Sequence, residues 1–178
     1  MSIATHQAGD DSRTVLTTRR LILREMTSDD LDAMTELLGD PQVMRYYPAP
    51  KSRDQAKAWI GWNRRLYRER GFGLWAVALR ATSEFVGDCG LTPQRVDGVE
   101  EIEVGYHVRA GLQGNGYATE AAIACRDFAR DVLGLRRLIA IIDPANSPSQ
   151  RVADKIGLQP EKHTTVFASE RVIYAASI

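Results

Sequence analysis

Three glycines stand close together in the segment "GLQGNGYATEAA", residues 111–122, directly before a run with the spacing of an amphipathic helix. A glycine-rich turn into a helix N-terminus binds anions, because free backbone N–H groups point outward there and the helix dipole favours negative charge. Gly114 and Gly116 have no side chains that could block a phosphate. The local sequence therefore predicts a phosphate site, best suited to a pyrophosphate, with a tight loop that binds nothing as the alternative.

Two well-known phosphate motifs do not fit this loop. A Walker A loop ends in Gly-Lys-Ser/Thr, whereas "GNGYAT" has no lysine. A dinucleotide fingerprint has the order G-x-G-x-x-G and an acidic residue about 20 positions further on. Here the order is reversed, and residues 135–137 are Leu-Arg-Arg. The missing lysine argues against a nucleotide-binding P-loop protein.

A second set of chemically useful residues lies in "EEIEVGYHVR", residues 100–109. If this segment is a strand, its side chains alternate between two faces. Glu101, Glu103, Gly105 and His107 then share one face, while the intervening residues form a largely apolar face. A carboxylate, a missing side chain and an imidazole in one row suit the floor of a cleft.

The other patterns predict the elements that must position these residues. Strand signals follow one another without helices at 74–80, 84–92 and 100–109, which indicates an antiparallel meander. The order β-α-α-β-β-β-α-β-α-β-β predicts an α+β fold with a mixed sheet. The remaining elements are a strand at 19–26, a helix from the Thr27–Asp30 capping box to Gly39, a helix from Ser52 to near Gly71, a helix from the glycine loop to Gly134, a strand at 136–143, a short helix with Ser147 as N-cap and Pro148 as first helical residue, and a final pair of strands.

Length and composition set the class of protein. The 178 residues suit one domain, which we place at residues 16–178, with residues 1–15 as a flexible tail. A formal net charge of zero argues against a nucleic-acid partner. No apolar run is long enough to cross a membrane. Cys89 and Cys125 are expected to be buried free thiols, no metal site is expected, and the chain fits a reducing cytoplasm.

At the glycine loop the sequence resembles the GCN5-related N-acetyltransferase (GNAT) superfamily, and more closely its branch that acetylates the N-termini of ribosomal proteins. The family's loop, Gln/Arg-x-x-Gly-x-Gly/Ala, is matched by residues 113–118. Three further segments match in order: "TTRRLILREMTSDDLDAM", "DPQVMRYYP" and "NSPSQRVADKIGL". Leu158 stands where the family usually has Phe. The resemblance covers about residues 17–178.

The resemblance implies a GNAT fold, with a central mixed, mostly antiparallel sheet of about seven strands, splayed at the middle, and about four helices. It also implies acetyl-CoA as co-substrate and no metal. The glycine loop would hold the pyrophosphate, and the pantetheine arm would bind the open edge of the strand at 100–109, where a backbone N–H in 104–106 would polarise the thioester oxygen. The cofactor-binding residues implied are Val104, Tyr106, Val108, Gln113, Gly114, Asn115, Gly116, Tyr117, Ala118 and Asn146.

Acetyl transfer to an amine needs a base for the amine and an acid for the departing thiolate. Glu103 is the candidate base, directly or through a water, and partial burial would raise its pKa usefully above the ordinary value of about 4.3. A solvated strand carboxylate is the alternative. By resemblance Ser149 would donate the proton to sulfur, although Asn146 and Ser149 also suit a helix start. The acceptor-binding residues expected are Met44, Tyr46, Tyr47 and His107, with the last hairpin near 162–170.

These observations predict an acetyl-CoA-dependent N-acetyltransferase that moves an acetyl group to a primary amine by direct attack in a ternary complex. The favoured acceptor is a protein or peptide N-terminal amine. The alternatives are a small-molecule amine, such as an amino acid, polyamine or antibiotic, and a non-catalytic acyl-CoA-binding module. The presence of both Glu103 and Ser149 favours an enzyme. The oligomeric state stays open, a homodimer included.

Overall fold

The computed structural model describes residues 13–178, which form one mixed sheet and four α-helices. The strands are β1 (Thr14–Thr17), β2 (Leu21–Arg24), β3 (Leu74–Leu79), β4 (Phe85–Val96), β5 (Val99–Val108), β6 (Arg137–Ile142), β7 (Gln159–Val166) and β8 (Ser169–Ser177). The helices are α1 (Leu31–Gly39), α2 (Arg53–Arg70), α3 (Tyr117–Asp131) and α4 (Ser147–Lys155). The strand order is β1-β2-β3-β4-β5-β6-β8-β7, so the α+β class with a mixed sheet is confirmed.

The sheet has eight strands where about seven were expected. The additional strand is β1, which has only four residues and pairs antiparallel with β2. Of the expected N-terminal tail, residues 1–12 lie outside the described residues, and Thr14 and Val15 belong to β1. Within residues 13–178, no helix is long and apolar enough to cross a membrane.

The helix starts follow side-chain capping. Thr27 and Ser52 each form a complete capping box, with Asp30 before α1 and with Gln55 in α2. The expected cap of α4 was wrong by one residue, because the N-cap is Asn146 and not Ser147. Asn146 Oδ1 accepts a hydrogen bond from the Ser149 N–H at 3.2 Å, and Asn caps helices as well as Ser does.

The helices cover the two faces of the sheet unequally. α3 and α4 pack on one face, against residues such as Trp75 and Val77 of β3. α1 and α2 cover only the first half of the other face, against Leu74 and Ala76. Across the second half of that face, the tip of the β4–β5 hairpin folds over β6, β8 and β7, and Val96 at the tip packs with their apolar residues. A gap therefore remains between α2 and the hairpin tip, over the middle of the sheet.

The sheet also opens between its two central strands. β5 and β6 run parallel and pair only where Glu103 lies opposite Ile139. Beyond that point β5 continues to Val108 and β6 to Ile142 without pairing each other. The expected splay is present, and it lies under the uncovered gap. Cys89 and Cys125 are buried free thiols, as expected, with their Sγ atoms 3.6 Å apart in the core.

Candidate functional site

The uncovered gap forms a cleft of about 610 Å³, called here the main cleft, between α2, the segment 44–51 and the middle of the sheet. A second cavity of about 390 Å³, the loop pocket, extends from it to the N-terminus of α3. The two cavities share part of their walls, so together they form one groove that passes through the opening between β5 and β6. The shared residues are Tyr46, Tyr47, Tyr106, His107, Asn146 and Ser149.

A row of cross-strand pairs forms the floor of the main cleft. His107 of β5 lies opposite Asp88 of β4, and Glu103 lies opposite Thr92. Between these polar pairs Gly105 faces Gly90. A Cβ added at Gly90 would lie 2.0 Å from the backbone oxygen of Gly73, so only glycine fits there. Of the four residues predicted to share this face, Glu103, Gly105 and His107 line the main cleft, whereas Glu101 lies outside it and binds Arg137.

Glu103 is part-buried at the point where β5 and β6 separate. Its carboxylate accepts hydrogen bonds from Gln94 Nε2 at 2.8 Å and from Thr92 Oγ1 at 3.3 Å, and the backbone of Ile141 in β6 lies close enough to act on its pKa. Burial raises the pKa of Glu103 to about 7, and these hydrogen bonds only partly offset the effect. A carboxylate with such a pKa can accept a proton near neutral pH.

His107 is held by a buried carboxylate. Asp88 Oδ1 lies 2.7 Å from His107 Nδ1 and also accepts from the His107 backbone N–H at 3.1 Å. The indole Nε1 of Trp59 donates to Asp88 Oδ2 at 3.2 Å. His107 Nε2 is the one fully buried side-chain nitrogen or oxygen in residues 13–178 without a hydrogen-bond partner. Because Asp88 accepts a hydrogen bond from Nδ1–H, a neutral His107 carries its acceptor lone pair on Nε2.

Aromatic rings form the wall of the main cleft above this row. The Tyr47 ring lies 5.2 Å from the His107 ring, and the Trp59 and Trp62 rings lie 5.4 Å apart. Tyr47 is 44% exposed. The wall offers apolar area with polar edges, which suits a small organic group or a peptide end.

The loop pocket ends at the uncapped N-terminus of α3. Gly116 is the N-cap residue with φ of 80°, and no side chain caps the helix. The first turn closes with the Glu120 N–H donating to Gly116 O at 3.0 Å, so the preceding amides point out of the helix. Gln113 donates to Val108 O at 3.0 Å, and Asn115 donates to Leu112 O at 3.0 Å. These two side chains shape the loop, and the backbone amides remain for an anion.

A bend between β1 and β2 braces this loop from the side. Arg20 Nε donates to Glu120 Oε2 at 2.6 Å, and Arg20 Nη1 donates to Asn115 O at 3.0 Å. Thr18 Oγ1 donates to Glu120 Oε1 at 2.6 Å. Burial opposes the charge of Glu120, but the hydrogen bonds from Thr18 and Arg20 outweigh it and lower its pKa. Arg20 thus neutralises a carboxylate that would otherwise repel an anion at the α3 N-terminus.

The edge of β5 that faces β6 carries unpaired backbone groups. The His107 N–H points to Asp88 of β4, and the Arg109 N–H donates to Val86 O of β4. Because alternate residues of a strand direct their backbone groups to opposite sides, those of Tyr106 and Val108 point toward β6. β6 does not pair with them. An extended chain with amide groups can bind along such an edge.

The start of α4 lies on the opposite side of this opening. The Tyr106 hydroxyl donates to the backbone oxygen of Ser149 at 3.0 Å and ties β5 to α4. Burial raises the pKa of Tyr106, although the Ser149 hydrogen bond partly opposes this. Asn146 uses Oδ1 for the helix cap, whereas Ser149 Oγ makes no hydrogen bond to any residue from 13 to 178. The Ser149 hydroxyl is therefore available to a ligand at the junction of the two cavities.

The structure brings the expected site residues together, with one exception. Asn115 lines neither cavity and contributes through the loop backbone. Of the last hairpin, Lys162 turns away to bind Asp97 at 2.7 Å, while Phe167 lines the main cleft. The others line one or both cavities: Met44, Tyr46, Tyr47, Glu103, Val104, Tyr106, His107, Val108, Gln113, Gly114, Gly116, Tyr117, Ala118, Asn146 and Ser149.

Several residues of the site were missed from the sequence, among them Asp88, Arg171 and Arg20. Asp88 carried a signal, since a carboxylate within the apolar run "EFVGDCGLT" needs a buried partner. Arg171 had a weaker signal of the same kind in the last strand. Arg20 had none, because its partners are about 100 residues away. In residues 13–178, no group of three His, Cys, Asp or Glu side chains is placed to hold a metal ion.

Comparisons with known proteins agree with this geometry. The family described as "Acetyltransferase (GNAT) domain" matches residues 20–159. The chain is 39% identical over 153 residues to the uncharacterized protein YkkB of Bacillus subtilis (strain 168), over 85% of this chain and 89% of that protein. It is 33% identical over 147 residues to the uncharacterized N-acetyltransferase YnaD of the same organism, over 82% and 83% of the two chains.

Solved structures share the whole fold. The acetyltransferase from Agrobacterium tumefaciens str. C58 matches with a TM-score of 0.81 at 26% identity, over 92% of this chain and 94% of that chain. RimL, a ribosomal L7/L12 alpha-N-protein acetyltransferase in complex with coenzyme A, matches with a TM-score of 0.76 over 93% and 98% of the two chains. At 16% identity that second likeness concerns the fold alone. The eight-stranded mixed sheet with four helices is thus the GNAT fold, and the chain belongs to the GNAT acetyltransferase family.

Proposed function

We propose that this protein is an acetyl-CoA-dependent N-acetyltransferase that acts on a primary amine by direct attack in a ternary complex. The observation that carries the proposal is the position of Glu103. Its carboxylate, with a pKa of about 7, lies where the main cleft meets the opening between β5 and β6. An acceptor that arrives as an ammonium ion must lose a proton before its nitrogen can attack, so the reaction requires a base tuned to neutral pH.

The loop pocket and the β5 edge fit the co-substrate. The amides near Gly114, Gly116, Tyr117 and Ala118 would bind the pyrophosphate at the α3 N-terminus. The backbone groups of Tyr106 and Val108 would bind the amides of the pantetheine arm, together with Asn146. Arg151 and Lys155 also line the pocket and add positive charge for phosphate groups. Bound in this way, acetyl-CoA supplies an activated acetyl thioester at the junction of the two cavities.

The protein's residues then handle two protons. Glu103 accepts a proton from the acceptor amine, directly or through a water, while the amine nitrogen forms its bond to the acetyl carbon. A backbone N–H in 104–106 stabilises the negative charge on the thioester oxygen. Ser149 Oγ donates a proton to the sulfur as the carbon–sulfur bond breaks. The products are an acetylated amine and a free thiol.

For the acceptor we propose a protein or peptide N-terminal amine. The four sequence segments shared with the branch that acetylates ribosomal proteins support this choice, and the aromatic wall of the main cleft can hold the first residues of a peptide. A small-molecule amine is the second candidate, since the main cleft of about 610 Å³ has room for a whole small ligand.

The test is thiol release from acetyl-CoA with a panel of acceptors, alongside calorimetry of acetyl-CoA binding. The panel holds short peptides that start with Ser, Ala, Thr or Met, and also amino acids, polyamines and aminoglycosides. We expect turnover on a peptide class. Turnover on small amines alone would replace the acceptor assignment. Binding of acetyl-CoA without turnover on any acceptor would instead support a non-catalytic acyl-CoA-binding module.

A further inference from the structure

A buried arginine lies in the floor of the main cleft, away from the glycine loop. Arg171 is in β8 and is 7% exposed. Along β8, Val172 and Tyr174 pack toward α3 and α4, whereas Ile173 packs on the opposite face. Arg171 alternates with Val172, so it lies on the face with Ile173 and lines the main cleft. Its guanidinium is therefore on the acceptor side of the sheet.

The hydrogen bonds of Arg171 use only one of its three nitrogens. Nη1 donates to Asp143 Oδ2 at 2.5 Å and to the backbone oxygen of Glu170 at 3.4 Å. Nε and Nη2 make no hydrogen bond within residues 13–178. In residues 13–178, His107 Nε2 is the one side-chain nitrogen or oxygen that is both fully buried and without a hydrogen-bond partner. Because Nε and Nη2 of Arg171 have no partner either, they are not fully buried. Since Arg171 lines the main cleft, this edge of the guanidinium is reached from the cleft.

An open guanidinium edge has a specific preference. Arginine binds a carboxylate best with two parallel N–H···O bonds, and Nε with Nη2 presents one such fork. Asp143 makes a single contact and leaves that fork unused. A desolvated guanidinium is costly unless its donors are satisfied, so a ligand that satisfies them gains affinity.

The charges in the main cleft are arranged for a molecule that carries both signs. Glu103 lies at the opening between β5 and β6, and Arg171 lies on β8, which pairs with β6 on the side away from β5. Both side chains line the main cleft. The two groups therefore face the same cavity. An amine at Glu103 and a carboxylate at Arg171 would match this arrangement.

We propose that Arg171 forms a carboxylate subsite in the main cleft, and that the acceptor is an amine that also carries a carboxylate. This inference rests on the proposed N-acetyltransferase function and narrows its substrate class. The carboxylate comes either from a free amino acid or from an acidic side chain near a peptide N-terminus, since both present the same chemistry to the guanidinium.

The test compares matched acceptors that differ only in this group. One arm uses L-phenylalanine and other apolar amino acids against their carboxamides, and the second uses Ala-Asp against Ala-Asn peptides with amidated C-termini. The ratio of kcat/KM for acid over amide is measured in the wild type and in Arg171→Gln. The wild type and the variant are compared on the same pair of acceptors, so the difference in amine basicity between the acid and its amide cancels. We expect the ratio to fall about 10- to 100-fold in Arg171→Gln, with the KM for acetyl-CoA unchanged.

Three further variants make the comparison specific. Arg171→Lys keeps the charge but loses the fork, and it should lose most of the acid preference. Lys162→Gln removes an ion-paired cation of the adjacent β7 outside the main cleft, and it should keep the ratio. Lys51→Gln removes the cation that lies over Trp59 at the cleft. If Lys51→Gln abolishes the preference and Arg171→Gln does not, the subsite is assigned to the wrong residue.

A binding measurement separates this inference from the proposed function. N-acetyl amino acids and their amides are titrated by calorimetry into protein saturated with coenzyme A. We expect each favoured acid to bind at least about 10-fold more tightly than its amide, and Arg171→Gln to remove the difference. If no acid in either arm reacts or binds better than its amide, the subsite is refuted. Selective binding of acids without thiol release from acetyl-CoA would keep the subsite and refute the enzyme.

Discussion

Asp88 and His107 face each other across β4 and β5, with Asp88 Oδ1 2.7 Å from His107 Nδ1. Asp88 is 1% exposed and also accepts from Trp59 and from the His107 backbone. A carboxylate held by three donors keeps the Nδ1 proton on the imidazole. His107 therefore presents the Nε2 lone pair beside Tyr47, on the same face of β5 as Glu103.

Replacement of Asp88 should disturb the acceptor side of the site through His107. An amide at this position can no longer hold the imidazole in one tautomer. We expect Asp88→Asn to lower kcat/KM for the acceptor about tenfold or more. The KM for acetyl-CoA should change little. Steady-state kinetics from pH 5.5 to 9 would measure both effects.

The matched control for this substitution is Asp97→Asn. Asp97 is at the tip of the same hairpin and pairs with Lys162 and Thr164, outside both cavities. A purely structural role for Asp88 would lower the thermal midpoint and leave kcat/KM for the acceptor unchanged in the protein that stays folded. That outcome would contradict the positioning role.

Glu103→Gln should remove the proton acceptor and keep the shape of the side chain. We expect kcat/KM to fall about 10²- to 10⁴-fold, the usual contribution of general base catalysis. In the wild type the rate should rise with pH through about 7, because Glu103 acts as a base only when ionised. The variant should lack this step. Glu101→Gln is the control, because Glu101 is on the same strand as Glu103, lies outside both cavities and binds Arg137 of β6. Near-normal activity of Glu103→Gln at pH 7–8 would refute the base assignment.

The raised pKa of Glu103 should also appear in stability. The folded-state pKa is about 7, above the ordinary value of 4.5. Its contribution to stability is therefore fully present below pH 4.5 and is lost as the pH rises through 7. As the pH rises from 4.5 to 8, the difference in unfolding free energy between Glu103→Gln and the wild type should shift by about 2–3 kcal/mol in favour of the variant. Urea denaturation at several pH values measures this, and a constant difference would argue against the raised pKa.

Ser149→Ala should separate acid catalysis from helix capping. The cap of α4 uses the backbone N–H of Ser149 and the side chain of Asn146, so the substitution keeps it. We expect kcat to fall more than the KM for acetyl-CoA rises. Ser147→Ala, at the exposed first residue of α4, serves as the control. A rise in KM with kcat unchanged would make Ser149 a binding residue.

Arg20→Gln should weaken co-substrate binding although Arg20 lines neither cavity. The substitution frees Asn115 O and removes the guanidinium that pairs with Glu120, so Glu120 keeps its charge beside the α3 N-terminus with only the Thr18 hydroxyl and the residue 20 backbone N–H as donors. We expect the affinity for acetyl-CoA to fall about 10- to 100-fold, as is usual for lost charge-assisted hydrogen bonds, with kcat at saturation little changed. The adjacent, exposed Arg19→Gln is the control. Calorimetry with equal affinities for Arg20→Gln and the wild type would show that the brace is dispensable.

The amino-acid sequence by itself determined the features that depend on neighbouring residues. The capping box at Thr27, the helix start at Ser52 and the alternation around Glu103 were predicted correctly, because each depends on spacings of two to four residues. The glycine loop was placed at the start of a helix for the same reason. The ordered segments around it also pointed to the family that the comparisons establish.

Only the tertiary structure decided how distant residues meet. The short strand β1 has too few residues for a periodic signal and exists through its pairing with β2. Asp88, Arg171 and Arg20 join the site from separate strands, and the pKa of Glu103 depends on burial and on the backbone of β6. Such effects arise from desolvation and from contacts between residues far apart in the chain. They depend on the packed arrangement of the sheet and helices, which no local spacing encodes.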